Sequence, residues 1–228
     1  MKVFKFAVVA AAVVAMSAGA ANAQWAEVGD AGSFPAVSGA QATGAGLLTT
    51  ITGATSGAAG DTEDAYLIRV DNPALFHATT DTLQDPAAAT NFDTRLWMFD
   101  LAGNAVLAND DSPTNTAFQS LVMDSASFPG TIGLNAPLPL VAGGQYVLVI
   151  SGFSNDPQDI ANNDMVSLSA FTALNGPNPL AGAFDHWQPQ FAASGTYTIA
   201  LAGASAVPEP ATLGMMLVGG LALIRRRR

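Results

Sequence analysis

Cysteine is absent from the 228 residues, and histidine occurs only at His77 and His186. The first absence removes disulfide scaffolds, thiolate zinc sites and cysteine nucleophiles. The second leaves little for an imidazole-rich metal centre. Positive charge is scarce as well. Lys2 and Lys5 open the chain, and Arg225, Arg226, Arg227 and Arg228 close it. Between Gln24 and Val207 only Arg69 and Arg95 stand against seventeen acids, a formal charge of −15. Such a body repels phosphate backbones and anionic surfaces, so nucleic acid is not expected as a partner. Divalent cations are natural counter-charges for it, and a solvated acidic surface is the plainer reading. No apolar run reaches the ~20 residues of an ordinary membrane-spanning helix.

What apolarity there is concentrates at the two ends. Lys2 and Lys5 precede an apolar run from Phe6 to Ala15, followed by small residues ending in Ala21-Asn22-Ala23. This pattern predicts a secretory signal peptide over residues 1–23, cut between Ala23 and Gln24, and hence passage through the Sec export machinery. At the other end Val207-Pro208-Glu209-Pro210 is followed by apolar residues 211–224 and then the four arginines. Fourteen residues at about 1.5 Å each span roughly 21 Å, short for a permanent anchor. The arginines would keep the end of such a helix cytoplasmic and the body outside. Pro208 and Pro210 keep the preceding segment extended, which suits a processing protease.

Those last residues resemble the PEP-CTERM sorting tail of Gram-negative bacteria, with all three parts present in order from Val207 to Arg228. The resemblance implies transient anchoring in the inner membrane, recognition of Val207, Pro208, Glu209 and Pro210 by an exosortase, and display or release at the cell surface. Exopolysaccharide or other matrix components are the partners it suggests.

Between the ends, residues 24–206 are expected to form one domain. Short β-branched and apolar runs recur at 47–53, 65–70, 75–80, 94–100, 105–108, 118–123, 131–134, 145–151 and 196–201. Tyr66, Ile68 and Val70 alternate onto one face, and Leu96 and Met98 lie opposite Trp97 and Phe99. Asp71-Asn72-Pro73, Ala102-Gly103-Asn104 and Ala142-Gly143-Gly144 supply turn chemistry between runs. The pattern predicts an all-β fold, an antiparallel jelly-roll-like β-sandwich of roughly eight to ten strands.

Several words of this body resemble bacterial pre-peptidase C-terminal domains: Gly60-Asp61-Thr62-Glu63-Asp64-Ala65-Tyr66, then Asp93 to Asp100 with Asn109-Asp110-Asp111, then Gly144-Gln145-Tyr146 to Gly152. Residues 153–195 depart from it as a long insert. The resemblance implies a β-sandwich and, in some members, Ca²⁺ held by acids in the positions of Asp61, Glu63 and Asp64.

Independently of any family, Asn109, Asp110 and Asp111 place oxygen ligands of the kind Ca²⁺ prefers in one turn. The same residue types serve turns through side-chain bonds to backbone N–H groups, so both readings stand open. Catalysis finds no motif: there is no Gly-x-Ser-x-Gly elbow and no His-Glu-x-x-His. Trp25, Trp97 and Trp187 could offer flat faces to a sugar, Trp187 best of the three because it falls in an apparent loop. An exported structural or adhesive protein is the expected function, with a Ca²⁺-dependent polysaccharide- or protein-binding module as the alternative and a hydrolase third.

Overall fold

The computed structural model describes residues 23–33, 35–36, 38–57, 61–114, 118–168, 170–188 and 193–208. The predicted signal peptide up to Asn22, and the sorting tail from Glu209 onward with its expected helix at 211–224, lie outside the described residues.

The described chain is all-β. Its strands are β1 (Ala23–Ala26), β2 (Gln41–Ala42), β3 (Gly46–Thr55), β4 (Glu63–Val70), β5 (His77–Thr79), β6 (Ala89–Thr90) and β7 (Thr94–Phe99), followed by β8 (Ala105–Asn109), β9 (Leu121–Met123), β10 (Gly144–Gly152), β11 (Pro157–Asp159), β12 (Phe184–Trp187), β13 (Gly195–Ala202) and β14 (Ala204–Ala206). Among the described residues, one 3₁₀ turn at Pro73–Leu75 is the sole helical element, and no helix is long and apolar enough to cross a membrane.

Twelve strands form one sheet whose main path runs β8-β7-β10-β4-β14-β3-β13-β5-β9. Neighbours on this path are antiparallel, while the short β1 and β2 add in parallel to β3 and β4. Two facing sheets were expected; the strands instead follow one nearly closed sheet. The ten-residue β3 makes the connection, pairing with β14 through Gly46 and Leu47 and with β13 from Thr50 to Thr55.

The inner face encloses Tyr66, Ile68 and Val70 of β4, Leu96 and Met98 of β7, Leu148 and Ile150 of β10 and Ile199 of β13. Each large side chain so buried contributes about 1.5–3 kcal/mol. The opposite face of β4, β7 and β10 is also covered. Leu67, Trp97, Phe99, Val147 and Val149 meet Met165, Val166, Phe184 and Trp187 of the insert. Strands buried on both faces lose the polar half of their alternation.

Three expected runs are shortened for local reasons. Asn72 caps the 3₁₀ turn by accepting from Ala74 N–H at 3.2 Å, and Pro73 opens it, so β5 begins only at His77. Phe118 sits at φ 66°, and β9 starts at Leu121. The 131–134 run makes one isolated bridge, Ile132 to Leu174. The extra strands beyond ten are short pieces of two to four residues, such as β2, β6 and β14.

Candidate functional site

The sheet gathers acidic side chains at two places. In the first, Asp30, Asp61 and Asp64 offer carboxylate oxygens that lie within 4.8 Å of one another. Asp64 is fully buried on the inner face of β4, two residues before Tyr66. Its Oδ2 accepts the Tyr197 hydroxyl at 2.5 Å, and the Tyr197 and Tyr66 hydroxyls lie 2.6 Å apart. Its Oδ1 has no hydrogen-bond partner, and neither has Oδ1 of Asp61. Glu27, nearby, is engaged by the N–H groups of Ala31 and Ala54. Burial pushes the Asp64 carboxyl up to about 8; the Tyr197 hydrogen bond opposes this, and the charges of Glu27, Asp61 and Asp30 add to it.

Glu63 does not join them. Successive side chains on a strand point to opposite faces, so Glu63 leaves β4 on the other side. There its carboxylate accepts from Asn155 Nδ2 at 2.7 Å and from the Thr62 hydroxyl.

The second group is Asp93, Asp110 and Asp111, again within 4.8 Å. Asp110 is 1% exposed, and its Oδ2 accepts Arg95 Nη2 at 3.0 Å. The Arg95 guanidinium also reaches Asp156 and lies 4.5 Å from the Phe153 ring centre. Oδ1 of Asp110 and Oδ1 of Asp93 are buried without partners. Burial, with Asp110 and Asp111 nearby, pushes Asp93 up to about 6, against the pull of Arg95. Beside Asp93 opens a pocket of about 400 Å³ whose lining includes Asn91, Phe92 and Phe118.

Asn109 stands apart from this group. Its Oδ1 accepts Leu121 N–H at 2.8 Å, and its Nδ2 donates to the carbonyls of Asp111 at 2.9 Å and Ala173 at 3.0 Å. The side chain thus joins β8 to β9 where the sheet nearly closes. Asp159, at the end of β11, is likewise occupied by turn duty, accepting from Ala161, Asn163 and Gly182 N–H groups.

The tryptophans do not form a row of exposed rings. Trp97 is fully buried and donates to Ser151 Oγ at 2.9 Å. Trp187 is half-buried edge-on over it, 6.2 Å between ring centres, and donates to the Ser33 carbonyl at 2.6 Å. Trp25 packs against the inner core and donates to Gln41.

At the C-terminal end Val207 is buried and bonded to Thr43. Pro208 is the last described residue before the rest of the sorting motif. Residues 206–228 match the PEP-CTERM protein-sorting motif. The tail indicates an exported protein, made as a membrane-anchored precursor and processed by an exosortase toward the cell surface. No curated protein and no solved structure matches the chain, and no homologue confirms the expected pre-peptidase C-terminal-like body.

Sequence reasoning grouped Asp61, Glu63 and Asp64, and Asn109, Asp110 and Asp111; the fold replaces Glu63 by Asp30 and Asn109 by Asp93, which that reasoning missed. Asp93 had a readable signal. It lies two residues before Arg95, immediately ahead of β7, where the alternation of that strand carried back one residue puts it on the Arg95 side. Asp30 had none, because its approach depends on β1 adding in parallel to β3.

Proposed function

We propose that the mature protein is a non-catalytic structural or adhesive component of the cell surface or surrounding matrix. The observation that carries this reading is how the sorting motif joins the body. β14 ends at Ala206, and Val207, just beyond it, is still buried and bonded to Thr43. Removal of the tail after such a junction would release a finished domain with no trailing linker.

The experiment compares the chain with its Pro208→Ala, Glu209→Ala variant in cells with and without the exosortase. A larger, membrane-bound species in the variant and in exosortase-deficient cells is the expected result. Equal mass and fractionation in all four samples would overturn the processing step.

The Asp30, Asp61 and Asp64 group favours a second reading, a Ca²⁺-dependent binding module for polysaccharide or protein. Three carboxylates converge there, two with unpartnered oxygens, and Ca²⁺ takes six to eight such ligands.

A further inference from the structure

We propose that Asp93, Asp110 and Asp111 form a separate Ca²⁺ site, which fastens three phenylalanine-bearing loops into one arrangement. The acids alone would not carry this. The added observation is Asp110, 1% exposed, whose Oδ2 is taken by Arg95 while its Oδ1 is buried with no partner. Oδ1 of Asp93 is left in the same state. A buried carboxylate oxygen without a donor costs free energy unless a proton or cation meets it. Arg95 does not balance the group. Asp93, Asp110, Asp111 and Asp156 bring four negative charges against one guanidinium, and a divalent ion would leave a single negative charge. The oxygen-only donor set suits Ca²⁺, and the adjoining pocket has room for the waters that complete its shell.

The loops are tied to these acids through the backbone. Phe153 N–H donates to the Asp93 carbonyl at 3.0 Å. Asp111 N–H donates to the Phe171 carbonyl at 2.9 Å, and Thr94 N–H to the Phe118 carbonyl at 3.0 Å. The three rings themselves are exposed, Phe118 by 59%, Phe171 by 52% and Phe153 by 38%. The Phe153 and Phe171 rings meet edge to face at 6.2 Å. An ion on the acids would fix the strand ends from which all three loops hang.

This inference rests on neither tail processing nor the Asp30 group, and its test separates them. Full chain purified after export is stripped with chelator and titrated calorimetrically with CaCl₂, then with MgCl₂. The expected result is that Asp93→Asn with Asp111→Asn, which keeps the Arg95–Asp110 pair, loses one equivalent of Ca²⁺. Asp30→Asn with Asp61→Asn should keep that equivalent. Ca²⁺ should bind at least about tenfold more tightly than Mg²⁺, which demands octahedral geometry. Unchanged Ca²⁺ stoichiometry in the Asp93 and Asp111 variant, or equal affinity for the two ions, would overturn the proposal. Hydrogen exchange on the unaltered chain gives a second readout independent of variant folding. The amides of Thr94, Asp111 and Phe153 should exchange more slowly with Ca²⁺ than with chelator, and equal rates would count against the site.

Discussion

Val207 and Thr43 hold one another by two hydrogen bonds: Val207 N–H donates to Thr43 Oγ1 at 3.1 Å, and Thr43 N–H donates to the Val207 carbonyl at 3.1 Å. The Thr43 hydroxyl in turn donates to the Leu67 carbonyl at 2.7 Å. The sorting motif therefore begins on residues that the fold still holds. Thr43→Val keeps the shape and removes both side-chain bonds, leaving Val207 N–H and the Leu67 carbonyl buried without partners. Each such group costs about 1–3 kcal/mol. A loss of about 2 kcal/mol in urea unfolding, at unchanged m-value, is the expected outcome.

Stability should depend on pH through Asp64. Its carboxyl is raised by burial from 3.8 to about 8, so between those values the folded protein holds a proton that the unfolded chain has released. Its contribution is then full below about pH 4 and is lost as pH rises toward 8. Asp93, raised to about 6, acts in the same direction over the lower part of that range. In chelator the melting temperature should fall from pH 4 to pH 8, and Asp64→Asn should flatten most of that fall. A level profile for the unaltered protein would show that Asp64 is ionised when buried.

The strands were legible wherever one face alternated or a turn bounded the run. β7, β8 and β10 follow their expected runs to within a residue or two, and the Asp100–Asn104 turn closes around Gly103 at φ 86°. Asp100 Oδ1 accepts the N–H groups of Ala102 and Asn104 there, as turn chemistry predicts. What escaped the sequence was long-range. Neither the parallel addition of β1 to β3 nor the cover that the insert lays over Trp97 and Val149 leaves a local pattern. The acidic groups were half legible for the same reason. Asp61 with Asp64 and Asp110 with Asp111 are neighbours in the chain, whereas Asp30 and Asp93 arrive through the fold.

Asn109 and Asp111 are two residues apart and should behave oppositely. Asn109→Ala strands Leu121 N–H at the place where β8 meets β9 and takes its donor from the Asp111 carbonyl, while the Ala173 carbonyl keeps Asn175 Nδ2. About 2 kcal/mol should be lost. Asp111→Asn in chelator should leave stability level or slightly higher, since it relieves repulsion with Asp93 and Asp110. Equal losses in the two variants, read by thermal unfolding without Ca²⁺, would remove the distinction between seam and cation group.

Gly143, just before β10, and Gly152, its last residue, test different physics. At Gly143, with φ 75°, an added Cβ meets nothing within 4 Å, so Gly143→Ala should cost only the left-handed backbone penalty of about 1–2 kcal/mol. Gly152 has no such backbone constraint, but a Cβ there would lie 1.8 Å from the Ala193 carbonyl oxygen. Backbone cannot swing aside as a side-chain tip can, so the chain returning from the insert must move away from the end of β10. Because that insert covers Trp97 with Trp187, the displacement should expose buried indole. Gly152→Ala should therefore raise acrylamide quenching of tryptophan fluorescence in the folded protein, while Gly143→Ala should not. Matching quenching in the two variants would mean that the insert packs over Trp97 without depending on the close approach at Gly152.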